Sequence, residues 1–126
     1  MNQLNVLLSG LAKEEYCYLT TIGRVTEKPH EIEIWFGARE STLYLLSGSN
    51  SSDWVKNLLK TPSVTVRIGK YTFAGTARVV KEKEEDTTAR YLIAEKYQEW
   101  EEGKRLSEWA RTALPIAIDL NSLGTS

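Results

Sequence analysis

The sequence is poor in the residues that build most metal and nucleophilic sites. Its 126 residues include one cysteine, Cys17, and one histidine, His30. A lone cysteine excludes an internal disulfide and is typical of a reducing compartment. One histidine and one cysteine also fall short of a usual zinc site, so we expect no metal. We predict that Cys17 packs as a small hydrophobic residue and that His30, beside a turn proline, is a surface turn residue.

Long apolar runs and an excess of one charge are absent as well. No stretch approaches the roughly 18 apolar residues that span a bilayer, and the first residues lack the basic segment of a secretory signal. The net charge of −1 argues against a nucleic-acid partner. Neither a Walker A sequence nor G-x-G-x-x-G occurs. We therefore expect a cytoplasmic protein without a membrane span.

What is present predicts one α+β, mainly β domain over residues 1–126. Aromatic and β-branched runs indicate strands, and apolar residues at helical spacing indicate helices. The predicted strands are 16–22, 30–36, 42–47, 63–68, 71–80 and 114–120. One helix is predicted over 2–14 and a short one over 54–59, after the third strand. Two more are predicted between 83 and 113, and Trp100 is the last residue of the apolar stripe of the first of these. About six antiparallel strands would expose sheet edges, and closure into a small barrel removes them.

The second predicted strand has one aromatic residue on its polar face. Its apolar side chains alternate with Glu33 and Trp35, which therefore point the other way. Trp35 is then either a single exposed aromatic residue or a wall on which a planar ring could stack.

Two polar segments could receive an anion. The turn after the first strand carries Arg24, Thr26 and Lys28. The stretch LSGSNSSDW, residues 46–54, runs from a strand into a helix N-terminus, where backbone N–H groups and the helix dipole favour phosphates. The first segment is equally a common polar turn and the second equally a linker, so composition leaves both alternatives open.

Several stretches in order resemble the deazaflavin-dependent nitroreductase (Ddn-like) family of the flavin-binding split β-barrel superfamily. They are YLTTIGRVTEKPHEIEIWF, LYLLSGSNSSDWVKNLLKTPSVTVRIG and FAGTARVV. The resemblance runs from about residue 16 to residue 120. Two positions depart from the family pattern: Glu27 stands where glycine is usual, and Gly48 stands where a lysine often follows the serine.

The resemblance implies a split barrel that carries cofactor F420, or FMN in relatives, and an oxidoreductase that passes a hydride to a quinone or nitroaromatic. It implies a cofactor site in which polar turn and loop residues meet the phosphate end and strand residues lie beside the ring. The implied cofactor-binding residues are Arg24, Thr26, Lys28, Glu33, Trp35, Ser47, Gly48, Ser49, Trp54 and Asn57. It also implies a homodimer, since split barrels commonly pair.

Two rival functions remain open at this point. Split barrels also serve as non-catalytic binders or carriers of flavins, deazaflavins, haem or lipids. A small protein-interaction module is the other alternative, with Trp100 and Trp109 on the late helices forming the partner surface.

Overall fold

The computed structural model describes residues 3–48 and 52–123, with side chains up to residue 121. Four helices and seven strands occur in these residues. Their bounds are α1 Gln3–Leu11, β1 Cys17–Ile22, β2 Pro29–Ile34, β3 Gly37–Arg39, β4 Thr42–Ser47, α2 Asp53–Lys60, β5 Ser63–Ile68, β6 Tyr71–Val79, α3 Lys83–Tyr97, α4 Glu108–Thr112 and β7 Leu114–Leu123. In this part of the chain no helix has the length and apolar character that a membrane crossing needs.

All seven strands form one antiparallel sheet in the order β2-β1-β5-β6-β7-β4-β3. The two edge strands, β2 and β3, are consecutive in the chain and are separated only by Trp35 and Phe36. Three peptide steps span at most about 11 Å. The opposite edges of the sheet must therefore meet at this two-residue crossover, which forces the sheet to curl into a barrel.

The inside of the curled sheet is apolar because alternate residues of each strand point inward. In β1, Leu19 lies opposite Ile32 of β2 on one side and Val66 of β5 on the other. Val66 in turn lies opposite Phe73 of β6. Leu19, Val66 and Phe73 are fully buried in one large core cluster. Each buried side chain of this size stabilises the fold by roughly 1.5–3 kcal/mol relative to exposure.

Helices cover the rest of the barrel. Leu8 of α1 and Leu58 of α2 join the central core. On the outer face, Tyr44 packs with Ala89 of α3 and Leu46 packs with Ile93 of α3. This explains why β4 is buried on both faces and reads as a nearly continuous apolar run.

The predicted fold class is confirmed in outline, but the predicted strand count and helix placement are wrong. The structure has seven strands rather than six, because Gly37–Arg39, for which no strand was predicted, forms the short strand β3. The short helix consequently follows the fourth strand, not the third. The second strand ends at Ile34 rather than at Phe36.

The end of the first late helix also differs from the prediction. Helix α3 ends at Tyr97, and the left-handed backbone of Glu99 (φ 54°) turns the chain before Trp100. Trp100 therefore leaves the buried stripe and stacks on Tyr91 at the surface. The prediction for Cys17 holds, since its side chain is fully buried and burial raises the pKa of the thiol to about 12.

Candidate cofactor-binding site

The β1–β2 turn is fastened to helix α2 by one buried amide. Asn57 is 4% exposed, and its Oδ1 accepts hydrogen bonds from the backbone N–H of Arg24 (3.1 Å) and from Arg24 Nη1 (3.0 Å). Its Nδ2 donates to Thr21 Oγ1 at 3.3 Å. Arg24 Nη2 also pairs with Asp53 at the start of α2, at 3.1 Å. These bonds fix the guanidinium group over the first turn of the helix.

The turn and the helix enclose an open pocket of about 410 Å³. Polar groups of Arg24, Thr26 and His30 line it together with the indole of Trp54. His30 Nε2 lies 3.4 Å from Thr26 Oγ1. A Cβ atom at position 23 would come within 2.7 Å of both of these side-chain atoms, so only glycine at Gly23 allows them to converge. The volume lies within the range of about 300–1,000 Å³ that is usual for small-molecule sites.

The turn itself carries backbone strain. Glu27 has φ 59°, the left-handed region that favours glycine. This is the position where the sequence departs from the glycine of the family that it resembles. The conformation is held by a hydrogen bond from Glu27 N to Gly23 O at 2.9 Å and by one from Gly23 N to Lys28 O at 2.8 Å.

The N-terminus of α2 faces the same region. Ser52 is its N-cap residue, yet the Ser52 side chain makes no capping hydrogen bond to the helix. Ser52 Oγ lies 3.2 Å from Ser47 Oγ instead. The first-turn N–H groups carry the positive end of the helix dipole, which attracts anions, although Asp53 in this turn offsets part of the attraction. Ser49, in the preceding loop, lies outside the described residues.

Ser47 and Gly48 border a different hollow. They line a second open pocket of about 550 Å³ together with Arg90 and Leu114. Arg90 is already engaged there by Asp86 and by the carbonyls of Ala110 and Ala113. A side chain at Gly48 would meet the indole of Trp109, because a Cβ atom there would lie 3.4 Å from Trp109 Nε1. Ser47 contacts the α2 N-terminus through Ser52.

Glu33 and Trp35 lie towards the other end of β2. Tyr18 Oη donates to Glu33 Oε1 at 2.7 Å, and this bond is the largest cause of a raised pKa at Tyr18. Trp35, just beyond the strand, stacks on Tyr97 with 4.4 Å between ring centroids and 5° between planes. The ring of Trp109 meets Trp35 edge-on at 5.8 Å. Trp35 is thus half-buried among aromatic rings rather than isolated in solvent.

The structure therefore brings four of the predicted site residues to one pocket, and the other described ones lie outside its lining. Arg24, Thr26, Trp54 and Asn57 line the pocket between the turn and α2. Lys28 is exposed in the same turn but outside the lining. The sequence analysis missed His30, Glu31 and Asp53 as lining residues. The signal for His30 was the hairpin register, which places it opposite Thr21.

No group of three or more His, Cys, Asp or Glu side chains that could hold a metal ion occurs in the described residues. The lining instead includes the guanidinium of Arg24, the hydroxyl of Thr26, the imidazole of His30 and the N-terminus of α2. This set matches the chemistry of a phosphate or carboxylate group.

The fold is that of the split-barrel flavin and F420 reductases. Similar solved structures include a conserved hypothetical protein, Rv2991, from Mycobacterium tuberculosis, with a TM-score of 0.74, 18% identity, and 98% of this chain and 82% of that chain covered. A structure named F420 reductase has a TM-score of 0.64 and 15% identity, with 92% of this chain and 94% of that chain covered. HutZ, the heme storage protein from Vibrio cholerae, has a TM-score of 0.69 and 14% identity, with 99% of this chain and 98% of that chain covered. No curated protein matches the chain in sequence.

Residues 4–121 match the model of the F420H(2)-dependent quinone reductase family, and the chain belongs to that family. The predicted cofactor, F420, is confirmed as the cofactor of the family. The narrower Ddn-like assignment, FMN as the alternative cofactor, the homodimer and the cytoplasmic location stay predictions.

Proposed function

We propose that this protein is an F420-dependent oxidoreductase that passes a hydride to a quinone. The observation that carries the proposal is the convergence of Arg24, Thr26, His30 and Asn57 on one pocket at the α2 N-terminus. The family match supports the same chemistry independently of that geometry.

The anionic end of the cofactor would be held in this pocket. Arg24 makes hydrogen bonds through Nη1 and Nη2, and a guanidinium has five N–H groups, so it can also bind an oxyanion. Thr26 and His30 add a hydroxyl and an imidazole that can form hydrogen bonds, and α2 adds its dipole. Asp53 and Glu31 oppose the anion, which makes Arg24 the decisive charge.

The ring would lie towards the crossover. Glu31 lines the pocket, Glu33 follows it two residues later in β2, and Trp35 lies just beyond the end of that strand. At about 3.4 Å per residue, Trp35 is roughly 14 Å along the chain from Glu31. A ligand with an anion at one end and a planar ring at the other can use both positions.

Bound reduced F420 supplies a hydride, and a quinone that takes it together with one proton becomes a hydroquinone. The part of the protein is then to bind and place the reactants. Trp35, held among Tyr97 and Trp109, would keep water from one side of the ring. The proton would come from water or a hydroxyl group.

A matched pair of charge removals in the β1–β2 turn tests the proposal. Arg24→Gln and Lys28→Gln each delete one positive charge from the same turn, but only Arg24 lines the pocket. We expect Arg24→Gln to weaken F420 binding by at least about tenfold, about 1.4 kcal/mol, and Lys28→Gln to change it less than about threefold. Binding is measured by titration of the cofactor absorbance.

Turnover is measured with reduced F420 and menadione, and a nitroaromatic compound serves as a second acceptor. Equal losses in the two variants would mean that general electrostatics, not the pocket, holds the cofactor. Binding of F420 without turnover of any acceptor would favour a non-catalytic cofactor carrier. Retention of FMN or haem in place of F420 would contradict the proposed cofactor.

A further inference from the structure

The two-residue crossover between β2 and β3 is held from outside the sheet by the end of α3. Tyr97 Oη accepts a hydrogen bond from Phe36 N at 3.1 Å, and its hydroxyl donates to Glu15 O at 2.7 Å and Phe36 O at 3.1 Å. The neighbouring Lys96 Nζ donates to Phe36 O at 3.1 Å. Both polar groups of the Phe36 backbone are thus bound by consecutive side chains of one helix. We call Lys96 and Tyr97 the crossover clamp.

The ammonium group of the clamp lies in aromatic surroundings. Lys96 Nζ is 3.6 Å from the centroid of the Phe36 ring and 4.8 Å from that of Tyr97. Such contacts attract the charged form of the amine and not the neutral form. Lys96 is half-buried, and this burial lowers its pKa to about 8.

Two titratable groups beside Lys96 do not change charge near pH 8. Cys17 of β1 and Tyr97 of α3 both have a pKa that burial raises to about 12, so both are neutral there. Glu14, in the segment after α1, contributes a favourable charge to the ammonium form. A change in the clamp near pH 8 would therefore report Lys96.

We propose that Lys96 is a positioning residue whose ammonium form holds the Phe36 carbonyl and ring, and through them the stacked Trp35 indole, more tightly than its neutral form does. The charge–ring contacts disappear when the proton leaves, while Tyr97 keeps the crossover in place. The protonation state of Lys96 would then set how firmly Trp35 is oriented. The consequence for turnover rests on the proposed function, because it requires Trp35 to lie beside the cofactor ring.

The first test needs no cofactor. Backbone and indole N–H resonances of the wild-type protein are followed by two-dimensional NMR from pH 7 to pH 9.5, and Trp35→Phe identifies the Trp35 indole signal. We expect the Phe36 amide and the Trp35 indole to titrate together with a midpoint near 8, the value of the Lys96 pKa. The indole of Trp100, stacked on Tyr91 at the surface, is the internal control and should not move.

Two substitutions separate the charge from the side chain. Lys96→Arg keeps a cation throughout this range, and Lys96→Met keeps an apolar stem without charge. In both variants the Phe36 and Trp35 signals should stay constant with pH. In Lys96→Arg they should lie near their low-pH wild-type positions, and in Lys96→Met near their high-pH wild-type positions. Constant signals in the wild type, or an unchanged midpoint in Lys96→Arg, would overturn the proposal.

A second test uses the holoenzyme. In the wild type, kcat should fall about twofold or more as pH rises through 8, while in Lys96→Arg this step should vanish. If F420 does not bind at all, the proposed function fails and the NMR result stands by itself. If F420 turns over and the step persists in Lys96→Arg, the role of Lys96 in turnover is excluded.

Discussion

The two ends of β2 satisfy their polar groups in different ways. At the turn end, Arg24 bonds mainly to other side chains, those of Asn57 and Asp53, and the pocket beside it is open. At the crossover end, Tyr97 and Lys96 bond to main-chain atoms. The bonds at the turn end hold a charged side chain beside an open pocket, whereas those at the crossover end fix the path of the main chain. The comparison suggests that one end is built to admit an anion and the other to hold an aromatic ring still.

The largest effect on stability should come from removing the aromatic ring of Tyr97. Tyr97→Ala deletes the ring stacked on Trp35 and the three hydrogen bonds of its hydroxyl, and we expect a loss of about 4 kcal/mol in the free energy of unfolding. Tyr97→Phe keeps the stacking and should cost about 1 kcal/mol. Urea denaturation measures both.

Tyr91 supplies the matched control, because it stacks on Trp100 with nearly the same geometry, 4.3 Å and 15°. This pair lies at the surface, and we expect Tyr91→Ala to cost about 1 kcal/mol. Equal losses at the two tyrosines would show that the stacking, and not the clamp, stabilises the crossover end.

The next largest loss of stability is expected at the turn end of β2, from removing Asn57. Asn57→Ala leaves the Arg24 N–H and the Thr21 hydroxyl without their partner, so we expect a loss of about 2 kcal/mol together with weaker F420 binding. Lys56→Ala, an exposed neighbour on the same helix, should change stability by less than about 0.5 kcal/mol. Loss of stability with unchanged F420 binding would remove Asn57 from the site.

The sequence predicts the turn end better than the crossover end. Arg24 and Thr26 lie two residues apart in one turn, so local pattern alone places them together, whereas His30 was predicted only as a surface turn residue. The bond from Tyr97 to Phe36 joins residues 61 apart, and no periodicity in the sequence indicates it. Strand alternation also continued through Trp35 and Phe36, which concealed the end of β2. Only the strand order shows that these two residues join opposite edges of the sheet.

A smaller effect should come from relieving strain in the turn. Glu27 adopts a left-handed backbone, and Glu27→Gly should raise stability by about 0.5 kcal/mol after the greater flexibility of unfolded glycine is offset. Lys28→Gly, next in the same turn, gains no such relief and should lower stability by about 0.5 kcal/mol. Chemical denaturation compares them. A destabilised Glu27→Gly would mean that the Glu27 side chain contributes more than its backbone strain costs.

The last effect is a pH dependence. Loss of the Lys96 proton should stabilise the whole fold but hold the crossover less tightly. Because burial lowers the Lys96 pKa from 10.5 to about 8, the unfolded chain binds more protons between these values, and stability should rise with pH in this window. The opposite trend from Tyr44 and Tyr97, whose pKa burial raises from 10 to about 12, begins only above pH 10.

Wild type and Lys96→Met are therefore compared by urea denaturation at pH 7.5 and pH 9.5. The wild type should gain stability relative to the variant, by less than either Tyr97→Ala or Asn57→Ala loses, since the amine is partly exposed. Over the same pH range the Phe36 and Trp35 signals should indicate a looser crossover. A fold that is more stable without the Lys96 charge, but less well ordered at Trp35, would mean that the charge is kept for position and not for stability. Parallel loss of stability and order would assign Lys96 a purely structural role.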